Sequence, residues 1–168
     1  MVKKYEGLRD AYMEAKLLGK DFSACIDWAA GELGKGEAEA GLAALAAADR
    51  KDGMAARRLA EELLGADPAE DELWAGRRIA DSARRYFDGE EGAERLAAEI
   101  AAFHSSLGSP DWLSTLKRNA EFLADLPAYR EPFEAELKYL ARLWSHAGSA
   151  ADFLGAYDYR ISGKHELR

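Results

Sequence analysis

Gly92-Ala93-Glu94-Arg95-Leu96-Ala97-Ala98-Glu99-Ile100-Ala101-Ala102-Phe103-His104-Ser105-Ser106-Leu107-Gly108-Ser109-Pro110 decides the fold class. Ala93, Leu96, Ile100, Phe103 and Leu107 recur at intervals of three and four residues. That period places them on one face of an α-helix, and such a face must pack on another helix. The stretch closes on Gly108-Ser109-Pro110, which reads as a helix-ending Gly, a Ser N-cap and a Pro at the first position of the next helix. Gly65-Ala66-Asp67-Pro68 repeats that punctuation with Asp as the cap.

The rest of the chain follows the same pattern. Tyr5, Leu8, Tyr12 and Ala15 form one apolar stripe; Phe22, Ile26, Ala29 and Leu33 form another; Phe133, Leu137, Leu140, Trp144 and Ala147 form a third. Thirty-four residues are Ala and 21 are Leu, against one Val, four Ile and one Thr. Strands draw on β-branched residues, whereas Ala and Leu lead the helix scale, so the chain is predicted to be all-α. The pattern gives eight to nine antiparallel helices near 2–18, 21–33, 37–49, 53–64, 69–87, 90–107, 110–126, 131–147 and 149–158. The expected architecture is an irregular bundle or a short α-solenoid-like array. Residues 1–158 are expected as one helical domain, divisible into sub-bundles 1–65 and 68–158, with 159–168 as a flexible tail. A faint repeat, Arg58-Leu59-Ala60-Glu61 against Arg95-Leu96-Ala97-Ala98-Glu99, is what raises the solenoid alternative.

Net charge is −8 over 168 residues. Phosphate backbones and anionic membrane surfaces repel such a chain, so neither nucleic acid nor membrane is an expected partner. No run approaches the ~18 apolar residues of a membrane span. The N-terminal Lys3-Lys4 pair has no apolar segment behind it, unlike a secretory signal. The single Cys25 cannot form an internal disulfide. These features lead us to expect a cytoplasmic protein. Leu18-Gly19-Lys20-Asp21-Phe22, through Ile26-Asp27-Trp28-Ala29 to Leu33-Gly34, resembles the opening of small helical bacterial proteins with no assigned activity. The resemblance carries no family name and implies no site.

Reactive constellations are missing from the sequence. Di-iron bundles place Glu three residues before His; here His104 follows Ala101, His146 follows Leu143 and His165 follows Ser162. There is no Cys pair and no His-Glu-x-x-His, so no metal, cofactor or catalytic residue is predicted. Gly34-Lys35-Gly36 lacks the order of a phosphate loop and reads as a turn. His104 flanks its stripe, where it is either a general base or a hydrogen-bonded imidazole at the core edge. Asn119 lies in line with Trp112, Leu116, Leu123 and Leu126, and is the only side-chain amide in the chain. It either lines a pocket or fixes helix register.

Two sets of residues are candidates for partner binding. Arg77, Arg78, Arg84 and Arg85 form two doublets on one helical face, although Asp81 and Asp88 stand where intrahelical pairing would neutralise them. Trp28 and Trp74 sit off the centre of their stripes, where a Trp either anchors a partner or marks the core edge. The function expected is a protein–protein interaction module that presents an exposed helical face, without catalysis. A basic protein is the partner class that suits the charge. The alternatives are a small-ligand binder or enzyme with a pocket lined by Tyr12, Trp112, Asn119, Trp144 and Tyr157, and a structural homo-oligomer.

Overall fold

Helices account for all the regular structure of the described residues, as the Ala and Leu content requires. The computed structural model describes residues 3–37, 39–65, 67–162 and 164. His165 and its neighbours to Arg168 lie outside them. The chain falls into two compact units, Met1–Asp67 and Pro68–Arg168.

The first unit holds α1 (Glu6–Leu18), α2 (Ser23–Gly34), α3 (Ala40–Ala46) and α4 (Gly53–Leu64), after a 3-10 turn at Lys3–Tyr5. Each helix packs on the next and α4 returns to α1, closing a ring of four. Leu8, Tyr12 and Leu17 from α1, Ile26 and Ala29 from α2, Leu42 and Leu45 from α3, and Ala56 and Ala60 from α4 fill the centre. Asp52 caps α4 by accepting the Ala55 N–H at 3.0 Å, and Gly65 ends it in the left-handed conformation at φ 62.

The second unit holds α5 (Pro68–Phe87), α6 (Ala93–Ser106), α7 (Asp111–Asp125), α8 (Arg130–His146), α9 (Ala150–Ala156) and α10 (Tyr159–Ser162), with a 3-10 turn at Pro127–Tyr129. Connections of a few residues make α5 to α8 run up and down, and α8 closes the ring against α5. In a solenoid each unit would touch only its sequence neighbours. Here the first and last helices of the ring share a long seam, so the bundle alternative holds. Ile79, Leu96, Ile100, Phe103, Leu116, Leu137 and Leu140 form the core.

One local expectation is corrected. Ser109 does not cap α7: it takes the left-handed conformation at φ 62, following Gly108 at φ 75, and Pro110 is the N-cap residue. Two successive left-handed residues turn the chain sharply enough that the helix starts one residue late, at Asp111. Within the segment expected as a flexible tail, Tyr159–Ser162 form the helical turn α10, with Ser162 buried and hydrogen-bonded.

The α5–α8 seam depends on Gly76. The indole of Trp144 lies where a side chain at position 76 would begin, so a Cβ there would overlap the ring. Gly31 on α2 has open space around it and ordinary backbone geometry. Gly76→Ala is therefore expected to lower stability by ~1–3 kcal/mol through overpacking. Gly31→Ala is expected to raise it by ~0.5–1 kcal/mol through helix propensity. Urea denaturation of both variants checks the opposite signs.

Candidate functional site

The arginine doublets on α5 divide by direction. Arg78 and Arg85 turn inward: Arg78 Nε donates to Glu99 Oε2 at 3.4 Å, Arg85 Nη2 donates to Ser82 Oγ at 3.0 Å, and Arg85 reaches Glu91 at 3.1 Å. Ser82 in turn donates to Glu99 Oε1 at 2.6 Å. This buried polar line crosses from α5 to α6, and each charge in it is paired, as burial demands. Arg84 faces solvent between Asp81 at 2.8 Å and Asp88 at 3.7 Å. Arg77 is exposed and bonds the Ala147 carbonyl at 3.4 Å. The four side chains do not form a common patch.

The two candidate tryptophans are half-buried. Trp28 lies over Gly7 and meets Tyr5 edge-on at 6.0 Å, while Trp74 meets Phe103 edge-on at 6.1 Å. His104 contacts Ser114 Oγ at 3.2 Å, the hydrogen bond expected of an imidazole at the core edge. Cys25 is fully buried, and burial pushes its thiol up to about 11, which leaves little nucleophilic thiolate near neutrality.

The residues proposed for an internal pocket belong to both units. Tyr12, in the first, donates to Glu61 at 2.7 Å and stacks obliquely on Phe22. In the second, Trp112 and Trp144 meet at 5.0 Å and Phe153 lies flat on Trp144 at 3.8 Å. These rings fill the space between α7, α8 and α9 with one another. Trp112 donates its indole N–H to Glu72 at 2.9 Å, while Trp144 Nε1 has no hydrogen-bond partner. Asn119 is fully buried, with neither amide atom hydrogen-bonded.

Glu136, on α8, is a second buried polar side chain of the α7–α8 hairpin. Glu136 is fully buried, and burial pushes its carboxyl up to about 7 despite the Ser162 hydroxyl and the positive charge of Arg118. Sequence gave no signal for it, since it is one of 31 acidic residues.

At the end of the second bundle where α5 and α7 finish and α6 and α8 begin lies a groove of about 220 Å³, lined by Ala93 and Ala97 of α6, Ala120 and Ala124 of α7, Leu123 and Pro127, with Glu94 and Arg130 among its lining residues. Alanine on both sides leaves the room. On another face of the same end of α7, Phe122 is 42% exposed and Leu126 49%, and Tyr129 packs against Phe122 at 4.9 Å. Arg130 is held by the Tyr86 hydroxyl at 3.2 Å, and Tyr86 donates to Glu134 at 2.9 Å. Residues 84–95 and 121–134 carry eight acidic side chains and four arginines, a net of −4, or half the charge of the whole chain. A second hollow of about 330 Å³ lies between Arg142, His146 and Asp152, all of them solvent-exposed. Among the described residues no cluster of three metal-ligating side chains occurs, and no helix is long and apolar enough to cross a membrane.

No protein-family model matches the chain, and no curated protein or solved structure shows significant similarity to it.

An unbonded buried amide costs roughly 1–3 kcal/mol relative to an apolar side chain of similar shape. Asn119→Leu is accordingly expected to raise the unfolding free energy by an amount in that range, measured by urea denaturation. A loss of stability would show that the amide is satisfied inside the folded protein.

Proposed function

We propose that the chain is a protein-binding module whose docking surface is the acidic, apolar end of the second bundle, and whose partner presents an apolar anchor flanked by basic residues. One observation carries this reading: Phe122 and Leu126 expose large apolar area at the end of α7 that also carries an alanine-lined groove, within a region of net negative charge. Exposed apolar clusters rimmed by charge characterise docking surfaces, because they gain burial on binding while the rim selects and steers the partner. The small-residue lining suits a helix or an extended segment carrying one or two bulky side chains. Such a partner would gain its affinity at the centre and its on-rate from the rim.

Trp28, Trp74, Arg77 and Arg78 are not part of this surface and are committed to contacts within their own units, whereas Arg84 and Arg85 belong to the proposed end and have their own carboxylate partners. The proposal assigns no reaction to the chain.

Affinity capture from native lysate with the wild-type protein and with a Phe122→Ser, Leu126→Lys double variant tests it. We expect one stoichiometric basic protein with the wild type, its recovery falling at least tenfold with the variant and with raised salt, while circular dichroism shows the variant folded. Equal capture by both proteins would refute this surface. Recovery of a tightly bound small molecule would favour a ligand-binding function, and a concentration-dependent dimer abolished by the same substitutions would assign the surface to a second copy.

A further inference from the structure

We propose that Glu136 and Ser162 form a protonation-gated latch, which holds the C-terminal turn α10 against α8 in acid and releases it as the pH rises. The latch is a line of hydroxyls ending on a buried carboxyl. Tyr157 Oη donates to Ser162 Oγ at 2.9 Å, and Ser162 Oγ donates to Glu136 Oε1 at 2.6 Å. Glu136 is fully buried and Ser162 is 2% exposed. The second carboxyl oxygen, Oε2, has no hydrogen-bond partner.

That arrangement suits a neutral acid better than a carboxylate. As a neutral group, Glu136 accepts the Ser162 hydroxyl on its carbonyl oxygen and keeps its proton on Oε2. As a carboxylate, the same group would hold a full charge in the core on a single hydrogen bond, a costly state.

The other charged or titratable groups around it do not change this. From α7 the cation is Arg118, whose attraction is outweighed by burial. From α8 itself the near ring is Tyr139, whose hydroxyl accepts the Asp158 N–H at 2.7 Å. From the C-terminal segment come Tyr157, pushed up to about 12 and thus neutral throughout, and Asp158 and Arg160, paired with each other at 3.2 Å. Among these described groups it is Glu136 whose carboxyl is pushed up to about 7.

Releasing α10 is the least disruptive way to hydrate the carboxylate. The turn has four residues, and its anchoring includes the Ser162 and Tyr157 hydroxyls, the Asp158–Tyr139 contact and the edge-on packing of Tyr159 against Tyr157. Short elements with little buried surface open with far lower free energies than core helices. The closed carboxyl titrates near 7 and the opened one near its ordinary 4.5. The closed state is therefore fully favoured below pH 4.5, loses ground as the pH rises towards 7, and changes no further above that.

Amide hydrogen exchange of residues 157–162 across pH 5 to 8.5, corrected for intrinsic rates, measures the opening. We expect the opening constant to rise roughly five- to sevenfold per pH unit up to neutrality and then level off, somewhat under a hundred-fold from end to end. Glu136→Gln should flatten the profile. Ser162→Ala should increase opening at acidic pH while leaving protection of the Ile100 and Phe103 amides unchanged. Carbon-13 titration of the Glu136 carboxyl in the wild type provides a readout that needs no variant. A midpoint near 4.5, a flat wild-type profile, or the same slope in Glu136→Gln would each overturn the latch.

Discussion

The second bundle depends on the contact between a tryptophan and the absence of a side chain. Trp144 occupies the space above Gly76, and this lets α5 and α8 approach along their length. The close approach closes a four-helix ring and shields the stack of Trp144, Trp112 and Phe153. Large aromatic rings supply burial that alanine cannot, so a core this rich in Ala needs them, and the rings in turn need a glycine opposite. Without that pairing the helices would sit further apart and the alanines beside Gly76 would pack against nothing.

Charge is handled inside the bundle in two contrasting ways. Between α5 and α6, the carboxylates Glu91 and Glu99 are met by Arg85, Arg95 and Arg78, with Ser82 bridging. Between α7, α8 and α10, Glu136 and Asn119 are buried without a complementary charge in contact. The first arrangement fixes the register of two helices. The second stores a group whose preferred protonation state depends on whether a small terminal element stays in place.

The outer surface carries a similar contrast. Several ion pairs lie along single helices, as in Arg57–Glu61 and Lys117–Glu121, and leave little net field. At the end formed by residues 84–95 and 121–134 the balance fails, and the excess of acid coincides with Phe122 and Leu126 in solvent. Apolar and uncompensated acidic groups side by side distinguish this end from the rest of the bundle surface.

The fold class was legible in the sequence because helix propensity and a 3.6-residue period are local properties. Leu96, Ile100 and Phe103 declare a buried face without reference to any partner, and Gly65 and Pro68 declare their helix ends. Trp112 and Trp144 were likewise readable as core from their stripes. The roles of Gly76, Glu136 and the Phe122–Leu126 surface were not readable, since each depends on what a different helix brings to the same point. A glycine within a helix looks the same whether it faces solvent or an indole, and a carboxyl reveals its burial only once α10 folds over it. Sequence determined that this chain forms amphipathic helices and where they end. The tertiary structure alone decided which faces meet and which acids lose water, because these are set by contacts between residues far apart in the chain.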